Sequence, residues 1–189
     1  MVTDKQLIEG YRTGRREMLE LLVERYKDDL YRFCRHLTLN ALEAEDLFQE
    51  VWVRVIRKLD RYDPERSFKA WLFQVTLNMY RDSYRKWKKL YERLTGEASC
   101  RVPLLELRDG APLTEEQILR NERYARLEEG LRKLPKRYLS PLVLYYYEEF
   151  SYEEIGKMLD IPIGTVKSRL NQGKKLLQKA VEPWREEYR

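Results

Sequence analysis

Between residues 16 and 37 the apolar side chains Leu19, Leu22, Val23, Tyr26, Leu30, Phe33 and Leu37 return every three or four positions. That spacing belongs to one face of an α-helix; a strand alternates with period two and cannot use it. Two further stretches repeat the pattern. Leu42, Leu47, Val51, Val55 and Leu59 mark one helix, and Phe68, Trp71, Leu72, Val75 and Met79 mark the next. Each is preceded by a residue that can cap a helix, Asn40 (with Glu43) and Ser67. Thr3-Asp4-Lys5-Gln6 has the form of a capping box and predicts a short first helix ending near Thr13-Gly14. Only 8 Gly and 7 Pro occur in 189 residues, too few for a sandwich of many short strands. The expected fold is all-α.

Punctuation divides the chain. Pro64, within Asp60-Arg61-Tyr62-Asp63-Pro64-Glu65-Arg66, breaks the helical pattern. Residues 95–113 show no period and contain Gly96, Pro103, Gly110 and Pro112. They read as a flexible linker between two small helical domains, 1–94 and 114–189. Thr114-Glu115-Glu116-Gln117 caps the first helix beyond it. A break follows near Leu134-Pro135, then a Tyr- and Leu-rich helix from Lys136 to about Glu148. Pro141 lies inside that segment, so Ser140-Pro141 is an alternative start.

The net charge of +5 hides a pattern. Residues 1–94 hold 20 basic and 16 acidic groups, residues 95–119 hold 2 and 5, and residues 120–189 hold 15 and 11. Two basic halves flank an acidic middle. Arg81-Asp82-Ser83-Tyr84-Arg85-Lys86-Trp87-Lys88-Lys89 interleaves cations with aromatics. Gly164 to Val181 carries Lys167, Arg169, Lys174, Lys175 and Lys179 without an acid. One such run is usually a solvated face; one in each half points to a polyanion.

Catalytic and metal chemistry find little support. His36 is the single histidine, and Cys34, two residues away on the same helix, faces elsewhere. With no other cysteine but Cys100, neither a zinc site nor a disulfide framework is expected. The acidic pairs sit beside helix ends or on exposed faces, and no Gly-rich phosphate loop is present. No apolar run is long enough to span a bilayer, and no signal peptide opens the chain, so a cytoplasmic location is expected.

The most specific constellation lies near the C-terminus. Ser151-Tyr152-Glu153-Glu154 is a second capping box, and Asp160-Ile161-Pro162-Ile163-Gly164 is a turn. A basic helix is expected from about Thr165 to Val181. At 3.6 residues per turn Val166, Leu170, Gly173 and Leu177 face inward, while Ser168, Asn171, Gln172, Lys175 and Lys179 face outward with Thr165 at the edge. This is the layout of a helix-turn-helix, whose second helix enters the major groove. Amides pair with adenine edges and lysine with guanine acceptors there, and flanking cations suit phosphates.

These residues carry a resemblance. Leu134-Pro135, Ser151-Tyr152-Glu153-Glu154-Ile155-Gly156 and Ile161-Pro162-Ile163-Gly164-Thr165-Val166-Lys167-Ser168-Arg169-Leu170 closely resemble the promoter-binding domain of bacterial sigma factors, in the extracytoplasmic-function (ECF) group of the sigma-70 family. Ala44-Glu45-Asp46-Leu47-Phe48-Gln49-Glu50-Val51-Trp52, and Phe68-Lys69-Ala70-Trp71-Leu72-Phe73 with Asn78 and Asp82, resemble its N-terminal domain independently. Many members carry Arg and Ala where this chain has Gln172 and Gly173, and a basic residue where it has Leu77.

The resemblance implies a transcription initiation factor, not an enzyme, with no cofactor, metal or small-molecule substrate. Its implied partners are core RNA polymerase, promoter DNA and an inhibitory anti-sigma protein, often membrane-bound in the family. Asp46, Gln49 and Glu50 would contact the polymerase clamp. Tyr62, Arg66 and Asn78 would surround a base flipped from the downstream promoter box. Arg81, Arg85, Lys86, Lys88 and Lys89 would hold the opening duplex, and Trp71 would stay in the core. Thr165, Lys167, Ser168, Asn171 and Gln172 would read the upstream box, with Arg169 and Lys175 on phosphates. The acidic linker would thread toward the polymerase active site. Two other readings of the motifs remain at this point: a stand-alone helix-turn-helix regulator, and a helical adaptor whose basic faces bind acidic proteins.

Overall fold

The structure is a computed structural model and describes residues 2–95 and 125–185. The expected linker beyond Thr95, the Thr114 cap and Cys100 lie outside the described residues. Among the described residues all regular secondary structure is helical. The helices are α1 (Asp4–Arg12), α2 (Arg16–Thr38), α3 (Ala41–Leu59), α4 (Phe68–Thr95), α5 (described over 125–132), α6 (Lys136–Tyr146), α7 (Tyr152–Leu159) and α8 (Ile163–Arg185).

The caps form as their chemistry dictates. Thr3 accepts from the Gln6 amide while the Gln6 side chain accepts from the Thr3 amide, closing the box of α1. Leu39 ends α2 in the left-handed region, with φ of 56°, and Asn40 begins α3 by accepting from the Glu43 amide. The Ala70 amide donates to the Ser67 hydroxyl at the start of α4. Ser151 and Glu154 complete the box of α7.

Helices α1–α4 enclose the larger core. Phe33 of α2 stacks on Phe73 of α4 with ring centroids 4.3 Å apart and 6° between planes. Leu22, Leu30, Leu37, Val51, Val55, Leu59 and Leu72 are fully buried around them. Helices α5–α8 extend the same buried cluster, with Leu144, Ile155 and Val166 fully enclosed in it. The two halves touch. α6 packs on α2, and α7 packs on α4. Phe150 meets Phe73 edge-on at 5.8 Å, and the Arg132 guanidinium donates to the Leu39 carbonyl at the C-terminal end of α2.

Two expectations are corrected, and one open choice is decided. Leu42 is 49% exposed rather than part of the inward stripe, because it falls in the first turn of α3, away from α2 and α4. Of the two starts left open for α6, Lys136 is the one found, and the helix runs on through Pro141. α8 begins two residues early, at Ile163, so Gly164 belongs to its first turn. Pro162 supplies the carbonyl that accepts from the Thr165 and Val166 amides, which lets the helix start directly behind it.

Candidate nucleic-acid interface

The outward face of α8 is rigidly seated. Asp160 closes α7 in the left-handed region at φ 55°, ψ 54°, and the Ile161 amide donates to the Gly156 carbonyl. This turn fixes the angle between α7 and α8. Val166, Leu170 and Gly173 are buried, and Leu177 packs on the core. A side chain at Gly173 would lie 2.9 Å from Leu142 Cδ1 and 3.2 Å from Tyr138 Cβ. Glycine at this position therefore lets α8 approach α6 closely, despite its cost of about 1 kcal/mol relative to Ala inside a helix.

Lys167, Ser168, Asn171, Gln172, Lys175 and Lys179 are exposed along one side of α8, and Thr165 and Arg169 are half-buried at its margin. Beside them lies an aromatic group that the sequence reading missed. Tyr145 and Tyr152 stack at 5.1 Å, and the Lys167 ammonium lies 5.6 Å from the Tyr152 ring centroid. These rings line a hollow of about 350 Å³ that also meets Asn171 and Lys174. Local periodicity assigned Tyr145 only to a helix; its contact with α7 depends on the turn.

On α4, Asn78, Arg81, Arg85 and Lys86 are exposed. The Arg81 guanidinium donates to the side-chain Oδ1 of Asn78, and Arg85 pairs with Asp82. Lys88 and Lys89 follow on the same helix, but their side chains lie outside the described set. Tyr62 is placed differently from a surface base contact. It is 5% exposed, its ring lies 4.5 Å from Trp71 and 5.7 Å from Phe68, and its hydroxyl donates to the Arg66 carbonyl at 2.6 Å. Burial, reinforced by Asp4 and Asp63, pushes its phenol up to about 12. Arg66 is exposed and pairs with Asp63 at 3.4 Å. Arg12 holds this loop by donating to the carbonyls of Leu59 and Tyr62. Trp71, expected in the core, is half-buried at its edge against Tyr62 and Phe68.

On α3, Asp46, Gln49 and Glu50 are all exposed on one face. Asp46 and Glu50 line a cavity of about 330 Å³ with Glu43, Tyr80 and Lys136. A second cavity, about 730 Å³, opens between the halves. It gathers Asn78, Arg81 and Arg85 of α4 with Arg54 and Lys58 of α3, Lys136 and Arg137 of α6, and Arg169 of α8; among the described residues Asp82 is the single acid lining it. The structure thus brings the α4 cations and Arg169 to one crevice. Arg54, Lys58 and Arg137 were not singled out from the sequence, because they sit outside both cationic runs.

Neither Cys34 nor His36 is placed for chemistry. Cys34 is a buried free thiol pushed up to about 12 by burial. His36 lies tilted against Tyr147 with ring centroids 3.9 Å apart, and is held below its ordinary value by desolvation, then by Arg32 and Arg35. Among the described residues no group of three or more His, Cys, Asp or Glu side chains could hold a metal, and no helix is long and apolar enough to cross a membrane.

Known proteins decide between the remaining readings. A model of Sigma-70 region 2 matches residues 22–89, and one of Sigma-70, region 4 matches residues 124–177. The ECF RNA polymerase sigma factor SigW of Bacillus subtilis (strain 168) is 33% identical over 178 residues, spanning 93% of this chain and 95% of that protein. The chain belongs to the sigma-70 family, in its ECF group. This sigma factor is also 36% identical over 158 residues to the ECF sigma factor SigE of Mycolicibacterium smegmatis, covering 83% of this chain and 59% of that one. Two solved structures share its fold. The sigma factor RpoE in complex with the anti-sigma factor NepR from Bartonella quintana aligns with a TM-score of 0.68 at 22% identity, over 87% of this chain and 96% of that one. CnrH in complex with the cytosolic domain of CnrY aligns with a TM-score of 0.67 at 23% identity, over 95% and 97%. Sigma factors are transcription initiation factors, and this chain is one of them.

Proposed function

We propose that this sigma factor binds core RNA polymerase through Asp46, Gln49 and Glu50, reads two promoter boxes and melts the downstream one. The outward face of α8, acid-free from Gly164 to Val181 and held against α6 by Gly173, carries this reading. Thr165, Lys167, Ser168, Asn171 and Gln172 reach base edges of the upstream box, and Arg169 and Lys175 hold its phosphates. Asn78 and Arg66 contact the downstream box. Tyr62, turned inward, shapes that pocket from below through Trp71. Arg81, Arg85, Lys86, Lys88 and Lys89 neutralise the backbone of the opening duplex.

The working division is 1–94 for polymerase and downstream box, 95–113 for the acidic linker and 114–189 for the upstream box. No step of this work forms or breaks a covalent bond in the protein, so neither an enzymatic centre nor a cofactor is assigned. An anti-sigma protein is the expected inhibitor, in line with the complex in which RpoE was solved. The site of action is the cytoplasm, where polymerase and chromosome reside.

Two measurements test the assignment. Asp46→Lys with Glu50→Lys is expected to abolish capture of core polymerase while leaving the circular dichroism unchanged. Asn171→Ala is expected to weaken footprinting of the upstream box and leave core capture intact. Full core capture by the α3 variant would overturn the polymerase assignment.

A further inference from the structure

The seam between the two halves is held at discrete points. Lys69 bridges Asp29 at 3.9 Å and Glu148 at 3.7 Å, Phe150 packs edge-on against Phe73, and Arg132 donates to the Leu39 carbonyl at 2.7 Å and 3.2 Å. Beside these contacts, between α3 and α4 on one side and α6 and α8 on the other, lies the crevice of about 730 Å³.

Its charge is not balanced from within. Among the described residues seven cations line it against one carboxylate, Asp82, and Asp82 pairs with Arg85. Lys136 lies against the rings of Tyr80 and Tyr84, with centroids 3.9 Å and 4.3 Å away. Arg54 and Lys58 of α3, Arg137 of α6 and Arg169 of α8 make no ion pair with any described residue. Like charges gathered in a concave space raise a positive potential that draws anions in. A donor is unmatched as well. Tyr80 lines the crevice and is 5% exposed, and its hydroxyl is buried without a hydrogen-bond partner. Folded proteins rarely leave such a group without an acceptor. Charge and donor call for the same chemistry, an anion rich in acceptor oxygens.

Size narrows the choice. A cube of this volume has an edge of about 9 Å, below the ~12 Å width of a major groove alone, so duplex DNA stays outside. The space falls in the ordinary range of small-ligand sites, about 300–1,000 Å³. A lone phosphate meets a few of the cations and leaves the others facing one another. Five of the seven are arginines, whose planar forks pair with phosphate oxygens two at a time.

We infer that the crevice binds a small polyphosphate, a chain of three or more phosphate groups, free or carried by a nucleoside. Its oxygens accept from Arg54 and Lys58 on one wall and from Arg137 and Arg169 on the other, so the bound chain bridges the two halves. The site stands on the crevice alone. One consequence rests on the promoter contacts proposed above: Arg81, Arg85 and Arg169 cannot hold ligand and DNA at once, so polyphosphate competes with the promoter.

The test is isothermal titration calorimetry on the full chain, without DNA and at fixed ionic strength. The probes are inorganic tripolyphosphate, a nucleoside triphosphate and orthophosphate. Tripolyphosphate is expected to bind one to one, about tenfold or more tighter than orthophosphate. Equal affinities would mean an adventitious ion only and would overturn the site. Arg54→Ala and Arg137→Ala, one from each wall and neither assigned to promoter or polymerase, should each weaken tripolyphosphate by about tenfold. A loss in only one of them would overturn the bridging. The control Arg16→Ala with Lys179→Ala removes two cations outside the crevice and should change the affinity by less than about twofold. A loss there as large as at the walls would show that net charge alone is read, and would also overturn the site. All four side chains are exposed, so each variant should keep the parent's circular dichroism. Tighter binding of the nucleoside triphosphate than of tripolyphosphate assigns the site to nucleotides, and the reverse order assigns it to the free chain; either supports it. Because no DNA is present, these outcomes do not depend on the promoter assignment, which footprinting tests separately.

Discussion

The N-terminal half is built around large buried rings, the C-terminal half around one exposed helix. Among the described residues, the fully buried side chains of the second half are aliphatic, with Leu144, Ile155 and Val166 the most enclosed. Phe33, Phe68 and Phe73 are all in the first. The difference suits the role proposed for each half. A segment that melts DNA has to stay rigid while it pulls a base from its stack, which costs a few kcal/mol. A helix that reads a closed duplex needs only a firm seat and a free face. α8 gets its seat from α6 and α7, and borrows further support where Phe150 reaches the N-terminal core.

Substitutions sharpen this comparison in order of expected size. Phe73→Ala removes a ring that touches both Phe33 and Phe150, and should cost about 3–5 kcal/mol in denaturant unfolding. A loss well below that would mean the two cores are less unequal than their buried rings indicate. Asn171→Ala and Gln172→Ala should each lose about 1–3 kcal/mol of discrimination at their own base pairs in competition footprinting. Lys175→Ala should instead weaken all sequences alike and reduce the salt slope by about one. Ser151→Ala should cost about 1 kcal/mol, seen as earlier melting of the C-terminal half, since it leaves the Glu154 amide uncapped.

The smallest expected effect is with pH. His36 binds its proton less readily in the folded protein than its ordinary value of 6.5. Its contribution to stability is therefore present above 6.5 and is lost as pH falls through that value toward the lowered folded one. His36→Gln should flatten this part of a melting-temperature profile. An unchanged profile would place the pH response elsewhere.

Much of this was legible in the sequence where the signal is local. Thr3, Asn40 and Ser151 were readable as caps because a side-chain oxygen three residues before a free amide has one obvious use. The inward and outward sides of α8 followed from its period alone. Leu42 misled because a stripe gives the direction of a face, not where the covering helices stop. Tyr62 misled for a related reason: the loop that holds it is shaped by Arg12, some fifty residues away. The period of α8 turns Gly173 inward but gives no reason for a glycine there; Leu142 and Tyr138 show what a methyl group would meet. The seam gave no signal at all, since the partners of Phe150, Glu148 and Arg132 lie in another part of the chain. Contacts of that kind are decided by tertiary packing, which periodicity does not encode.

Transcription in vitro from sheared genomic DNA, using core polymerase with and without this protein and mapping every start, tests the central claim most directly. The account predicts starts that depend on the added protein and share two spaced upstream boxes, with Asn171→Ala eroding the upstream box and Asn78→Ala the downstream one. Core binding with no dependent starts, or starts without a shared pair of boxes, would contradict it.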